Sequence, residues 1–290
     1  MSTVLPYIKN NGPNTVYNTD QSGFNLELHS GRTLDIKGVK GVEAITQSKS
    51  AMTHSYTIQP TISASGKLLS PLFIVLKEPS GSFGPRVSQS MFRANNVYLV
   101  ASRSGKVTKD IIKEWFTDVF FPNVGNVTTL LLDSLTTQND EGMIEEITPT
   151  GIEFDILTIP PGSTSIIQPL DVYFFRPWKN FVRKLSDYVI LNDLDVRLSQ
   201  RDNIIKLQSL VHNQFSSPRY EPMIRYAWYK CGYLDARETF VNPVEYCFEV
   251  TLDNCNFCDA YSFMKCSWCQ SHLCFNHFYD EYHYCEDYCE

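Results

Sequence analysis

The chain has 290 residues, 43% hydrophobic and 13% aromatic, enough to bury one large core or a medium core with a small satellite. Its longest apolar runs, such as residues 71–76 and 130–132, are far too short to span a bilayer, and residues 1–13 lack the layout of a signal peptide; the expected protein is soluble, intracellular and without membrane partners. The net charge of −7 sits in one segment: from Cys247 onward eight acidic residues face a single base, Lys265, while residues 1–246 are neutral, which argues against a body that grips phosphates by bulk charge.

In chain order, residues 1–13 read as an N-terminal extension and residues 15–20 (Thr-Val-Tyr-Asn-Thr-Asp) predict a short strand ending in a carboxylate. Residues 53–64 and 67–77 predict two strands joined at Ala64-Ser65-Gly66-Lys67, where glycine supplies the positive φ of a hairpin turn. The second of these is apolar on both faces, as in a central strand. Residues 79–86 read as a loop. Residues 108–121 predict a helix, with Thr108 as N-cap and Ile111, Ile112, Trp115, Phe116 and Val119 at helical spacing. Residues 128–133 predict a buried strand that again ends in an acid, 139–147 a helix, and 154–159 an apolar strand closed by Pro160-Pro161-Gly162. From Gln168-Pro169-Leu170-Asp171 a helical pattern runs to about residue 191, with Pro169 suited to its first turn, and further helices follow at about 201–216 and 220–231. Strands, then strand–helix alternation, then helices predict an α/β fold, a mixed sheet layered with helices. Asn242-Pro243 marks a junction, so the expected division is a core over 14–240, a linker over 241–253 and a cysteine-rich module over 254–290.

Asp20 and Asp133 each end an apolar run, and Asp171 sits in the first turn of a helix. Strand ends and helix starts on one edge of an α/β sheet are where such folds place functional groups. Three converging acids repel unless a cation neutralises them, and oxygen-only ligands favour Mg²⁺ or Mn²⁺. Two such ions, about 3.5–4 Å apart, would serve an in-line phosphodiester displacement. Taken singly, each Asp reads first as a strand end or a helix cap.

The motifs around these acids resemble the DDE superfamily transposases of the mariner/pogo group. Val16-Tyr17-Asn18-Thr19-Asp20-Gln21-Ser22-Gly23-Phe24 resembles the first catalytic block, Leu130-Leu131-Leu132-Asp133 the second, and Pro160-Pro161-Gly162-Ser163-Thr164-Ser165-Ile166-Ile167-Gln168-Pro169-Leu170-Asp171 the third. The resemblance spans about residues 14–235. It implies an RNase H-like catalytic core, with Asp20, Asp133 and Asp171 as catalytic ligands of two Mg²⁺ or Mn²⁺ ions, DNA as partner, metal-dependent cleavage and strand transfer, a homodimer on paired ends, and work in the nucleus. Two departures stand out. Gln138 occupies the place of a His in the second block, and Gln hydrogen-bonds but does not titrate. Only nineteen residues precede Asp20, where family members carry a helix-turn-helix region, so the expectation is a chain that keeps the chemistry without the element that chooses the DNA. The alternative is a domesticated or decayed derivative acting as a non-catalytic DNA, chromatin or protein-binding factor. Arg176, Lys179 and Arg183 fall roughly on one helical face, with Trp178 and Phe181 turned elsewhere; they read as candidate nucleic-acid contacts or, equally, as an ordinary solvated face.

Seven of the nine cysteines lie between Cys255 and Cys289, a spacing that reads as metal binding rather than a disulfide framework. Cys255-x2-Cys258, Cys266-x2-Cys269 and Cys274-x2-His277 supply three chelating pairs, and His283, Cys285 and Cys289 follow. That number of ligands suits two Zn²⁺ ions. An interleaved arrangement gives one ion Cys255, Cys258, Cys274 and His277, and the other Cys266 and Cys269 with two of His283, Cys285 and Cys289; His283 and Cys285 are favoured, and a sequential arrangement stays open. So short a segment buries little apolar area, so metal supplies most of its folding energy, with Trp268, Phe275, Phe278 and Tyr279 as a mini-core or contact surface. The pattern resembles the C-terminal cysteine-rich domain of piggyBac-type transposases and, more loosely, cross-brace zinc fingers. Its acidic charge favours a protein or chromatin partner over phosphate.

Overall fold

The computed structural model describes residues 4–25, 54–133, 141–249 and 253–290; Gln138 lies outside them. The strands are β1 (Val16–Thr19), β2 (Ser22–Asn25), β3 (His54–Gln59), β4 (Thr61–Ser63), β5 (Leu72–Lys77), β6 (Val97–Ser102), β7 (Val127–Asp133) and β8 (Glu153–Ile159), followed near the C-terminus by the short pair β9 (Met264–Lys265) and β10 (His272–Leu273). They form two four-stranded sheets, ordered β4-β1-β7-β8 and β2-β3-β5-β6, and the antiparallel β9–β10 ribbon.

The two larger sheets share one register. Thr19 pairs with Thr61 and Ser22 with Ile58, both antiparallel, so the same alignment places Asp20 opposite Pro60 and Gln21 opposite Gln59. Proline has no N–H to donate, and the ladder breaks there. The result is a mixed sheet six strands wide, in which β7 runs parallel to β1, β8 parallel to β7 and β6 parallel to β5. Between β4 and β5 the chain reverses at Ala64–Lys67, where Gly66 has φ +102°. A Cβ at Gly66 would stand 2.6 Å from the Glu221 carbonyl oxygen, so both backbone and space require glycine.

Side chains alternate across the sheet with the period of two, and both faces are apolar. Tyr17, Phe73, Val75, Leu130 and Leu132 face one core. Val16, Leu72, Ile74, Leu76 and Leu131 face the other. The first core is closed by α3 (Lys109–Glu114), whose Thr108 side chain accepts from the Ile111 N–H as its cap, and by α4 (Glu141–Ile147). Beyond Glu114 the chain continues as π-helical Trp115–Phe120, which stacks Trp115 on Phe120 at 5.0 Å.

The second core lies under three helices, α6 (Phe175–Leu191), α7 (Arg201–Phe215) and α8 (Glu221–Lys230). Phe175, Trp178, Phe181, Val182, Leu185 and Val189 give α6 its buried stripe. The buried Trp178 indole N–H donates to Gln208 on α7 at 3.0 Å, and the Gln208 amide donates to the Tyr56 hydroxyl at 2.8 Å, so one glutamine joins both helices to the sheet. Shorter helices complete the core region: α1 (Val4–Asn11), α2 (Pro85–Ser90), α5 (Thr164–Ile167) and α9 (Pro243–Cys247). Among the described residues, no helix is long and apolar enough to cross a membrane.

The C-terminal module rests directly on this second core. Met264, Cys266, Leu273, Phe275, Phe278, Tyr279 and Cys285 are buried in the same cluster as α6 and α7. Phe275 stacks on Tyr188 at 5.3 Å, and the Trp268 indole donates to the Asn213 carbonyl at 2.7 Å. In the stretch expected to be a linker, Asn242 caps α9, and the α9 cysteine, Cys247, is buried 3.1 Å from the Ser267 hydroxyl.

Candidate active site and metal centres

Asp20 and Asp133 become neighbours through strand register alone. In the parallel β1–β7 pair, Val16 lies beside Thr129 and Asn18 beside Leu131. Two places further, where both strands end, Asp20 comes level with Asp133. The period of two puts both carboxylates on the face of Val16 and Leu131, the face covered by α6. Asp171 arrives from above, on the segment that leads into α6.

That segment is not the uniform helix the periodicity predicts. After α5 the chain makes a π turn, Leu170–Phe174, closed by the Phe175 N–H donating to the Leu170 carbonyl, before α6 begins. Phe174 and Phe175 are both buried, and the wide turn lets consecutive large rings enter the core while Asp171 stays at the open edge.

One buried side chain ties the three acid-bearing segments together. The Asn18 amide donates to the Leu131 carbonyl at 3.0 Å, and its oxygen accepts from the Leu170 N–H at 3.1 Å. Asn18 is two residues before Asp20, Leu131 two before Asp133, and Leu170 adjacent to Asp171. The Thr164 hydroxyl reaches Asp133 at 3.5 Å.

The electrostatics record the crowding of like charges. Burial, and then the Asp171 carboxylate, push the Asp20 carboxyl up to about 7; the Gln21 N–H and the Gln168 amide oppose this, and Asp133 adds to it. Asp171 is raised by partial burial and by Asp133, against the pull of Lys179. Gln168 is fully buried, and although its amide lies close enough to favour the Asp20 anion, neither its nitrogen nor its oxygen completes a well-formed hydrogen bond among the described residues. Three crowded carboxylates, two of them held above the usual carboxylate range, beside an orphaned amide, fit a hard divalent cation, whose charge would relieve the repulsion. The carboxylates are nevertheless looser than the cysteine centres below, because they do not all approach within 4.8 Å of one another.

Arg176, Lys179 and Arg183 lie with Asp171 along one groove of about 530 Å³, which Gln21, Gly23 and Asn180 also line. The Lys179 ammonium stands 5.6 Å from the Phe24 ring centre and 5.8 Å from that of Phe175. Burial lowers its pKa, and Asp171 and Asp20 oppose that shift. Arg183 donates to Asn180 at 2.6 Å. The three bases therefore share a groove with an acid, with Arg176 exposed and Lys179 and Arg183 half-buried. Asn18, Gln168 and Asn180 were not singled out in the sequence. The signal for Asn18 was present in a polar residue set inside an otherwise apolar run.

At the C-terminus, two groups of four ligand atoms each gather within 4.8 Å: Cys255, Cys258, Cys274 and His277, and Cys266, Cys269, His283 and Cys285. The order along the chain is interleaved. In the first group the Cys274 sulfur lies 3.0 Å and the Cys255 sulfur 3.4 Å from His277 Nδ1; in the second, Cys269 lies 3.6 Å from His283 Nε2. Cys289 belongs to neither group; it is exposed, and its carbonyl accepts from Arg219 at 2.6 Å. Three thiols and an imidazole, twice over, are a donor set suited to a tetrahedral soft-to-borderline ion.

Residues 228–285 match the family described as the Tc5 transposase C-terminal domain, a span that contains both tetrads. No curated protein matches the chain. Among solved structures, the chain is similar to the Mos1 strand transfer complex, with a TM-score of 0.46, 8% identity, and coverage of 79% of this chain and 54% of that one. It is also similar to a pre-cleavage Mos1 transpososome (TM-score 0.38, 8% identity, 79% and 58% covered). A third similar structure is the Mos1 transposase paired-end complex with left transposon end (TM-score 0.37, 8% identity, 77% and 58% covered). The chain thus spans a little over half the length of these structures' chains. The family likeness thus lies in the C-terminal segment, which is similar to the C-terminal domain of Tc5 transposases.

Proposed function

We infer that this chain is the catalytic core of a DNA transposase that cleaves and joins phosphodiester bonds in the nucleus. The observation that carries the reading is the meeting of Asp20, Asp133 and Asp171 at one sheet edge, beside a groove lined by Arg176, Lys179 and Arg183. The three carboxylates would hold Mg²⁺ or Mn²⁺, which would supply Lewis-acid stabilisation of the attacking and leaving oxygens. Asn18 fixes the spacing of the segments that carry the acids, and the Gln168 amide favours the Asp20 anion. The basic residues contact the DNA backbone, which positions the substrate without reading its sequence. The two C-terminal tetrads hold Zn²⁺, and the acidic charge of that module, whose six acidic residues face one base, favours a protein partner or a second copy of the chain over DNA.

The purified chain, incubated with Mn²⁺ and a DNA end carrying a pre-made nick, is expected to hydrolyse the strand, and Asp171→Ala to abolish the product. Absence of hydrolysis by the parent chain, or a product unchanged in Asp171→Ala, would overturn the catalytic reading in favour of a binding protein descended from a transposase.

A further inference from the structure

The two cysteine tetrads have unequal surroundings. Around the Cys266/Cys269/His283/Cys285 group, helix α7 supplies a shell of buried amides. The Gln214 side chain donates to the Cys266 sulfur at 3.6 Å and accepts from the Ser267 N–H at 2.7 Å. The neighbouring Asn213 grips the other end of the set: its amide donates to the Cys285 carbonyl at 2.9 Å, and its oxygen accepts from the Cys285 N–H at 3.3 Å. Both side chains are buried, at 0% and 2% exposure, although buried polar residues on a core helix are costly unless fully bonded.

The Cys255/Cys258/Cys274/His277 group has no such shell. Cys258 is exposed. Among the described residues, the hydrogen bonds of these four ligands stay inside the module, as in Cys255 N–H to the Ala260 carbonyl at 2.8 Å and Phe278 N–H to the Cys274 carbonyl at 3.0 Å. The nearest acidic partner of His277, Glu281, also belongs to the module.

We propose that the two tetrads do different work: the inner one, bound through Asn213 and Gln214, is a structural element of the catalytic core, and the outer one exchanges its ion without disturbing that core. Donor hydrogen bonds to a ligating thiolate and to the backbone that carries it fix ligand geometry, and losing such a partner typically costs ~10–100-fold in metal affinity. Ion loss at the inner site removes the anchor of Cys266 and Cys285, two buried residues of the α6–α7 cluster, so it propagates into the core. Ion loss at the outer site frees Cys255 and Cys258, which lie outside that cluster, while Phe275, Phe278 and Tyr279 keep the segment carrying Cys274 and His277 seated on the core. The inference rests on the zinc reading of these tetrads given above.

The test is stepwise chelation of the zinc-loaded full-length chain. Released metal is counted with a chromogenic indicator, and amide hydrogen exchange of residues 201–215 is followed in parallel. The expected result is two releases: the first with exchange in α7 unchanged, the second together with loss of protection along that helix. Cys258→Ser should bind one ion and keep α7 protected, whereas Cys269→Ser should bind one ion and lose that protection. Gln214→Leu, which removes the donor to the Cys266 thiolate and the acceptor of the Ser267 N–H but none of the ligands, should leave two ions bound but release the second ~10–100-fold more readily. Should Gln214→Leu fail to fold, Gln214→Met serves as the milder replacement. Two ions leaving in a single step, or equal loss of α7 protection in Cys258→Ser and Cys269→Ser, would overturn the inequality while leaving the zinc reading intact. A chain that binds no zinc would overturn both.

Discussion

Asn18 offers the sharpest test of how the acid cluster is built. Replacing it with leucine keeps the bulk and removes both polar atoms, leaving the Leu131 carbonyl and the Leu170 N–H without partners in a site at 0% exposure. Each buried group so orphaned costs about 1–3 kcal/mol, so the predicted loss is about 2–6 kcal/mol, a large part of the stability of an ordinary domain. Asn18→Asp separates geometry from stability. It keeps the acceptor for Leu170, loses the donor to Leu131, and adds a fourth negative charge beside Asp20 and Asp171, whose carboxyls are already raised by burial and by neighbouring carboxylates. Urea denaturation gives the stability change, and calorimetric titration with Mn²⁺ gives the metal affinity. Asn18→Leu should lower both, because the segments carrying Asp133 and Asp171 lose their common tie to β1. A change in unfolding free energy below about 0.5 kcal/mol, the scatter of surface substitutions, or an unchanged Mn²⁺ affinity, would refute the idea that this amide sets the spacing.

Thr129, on the same face of β7, predicts the opposite sign. Its buried hydroxyl has no hydrogen-bond partner among the described residues, so Thr129→Val should stabilise the chain by about 1 kcal/mol in the same denaturation assay, and a loss of stability would contradict the assignment. His212 predicts a pH dependence. Its ring is fully buried between the Leu69 carbonyl, 2.9 Å from Nε2, and the Asn96 amide, 3.2 Å from Nδ1, and burial pushes its pKa down to about 4. The unfolded chain therefore binds a proton near pH 6.5 that the folded chain refuses until about pH 4. Stability is full above the unfolded pKa and falls as pH drops through this window, by about 3 kcal/mol in all. Urea midpoints measured from pH 7 to pH 4 should fall less steeply in His212→Gln than in the parent, and parallel slopes would rule the histidine out.

The positions of the three acids were legible because each is set by a local rule. Asp20 and Asp133 end apolar runs, and Asp171 follows a proline that starts a helix. The helix of residues 108–121 was legible in the same way, down to the Thr108 cap, which does accept from Ile111. The ties between segments were not. Asn18 bonds partners 113 and 152 residues away, and no window of sequence contains that information. Strand β6 was missed, although its Val-Tyr-Leu-Val run is apolar and β-branched, and so was α2, placed within a stretch read partly as a loop. The grouping of the cysteines followed from chelate spacing, whereas the choice of Cys285 over Cys289 is made by α7, whose Asn213 holds Cys285 from both sides. The docking of the module on α6 and α7 had no local signal either, since its aromatic residues serve equally for a mini-core and for a seat on another surface.

The π turn at Leu170–Phe174 sets how this protein tolerates a shortened chain. Such a turn holds one residue more than the α turn it replaces. A single-residue deletion there is absorbed by rewinding to a regular helix, at no cost in backbone hydrogen bonds. The rewound helix keeps Trp178 and Phe181 in their seats. Each residue of an α-helix subtends about 100° of arc, so the same deletion swings position 171 away from the strand ends that carry Asp20 and Asp133. At this one turn the reading frame of the helix, rather than the identity of any residue, separates a folded chain with three converging acids from a folded chain with two.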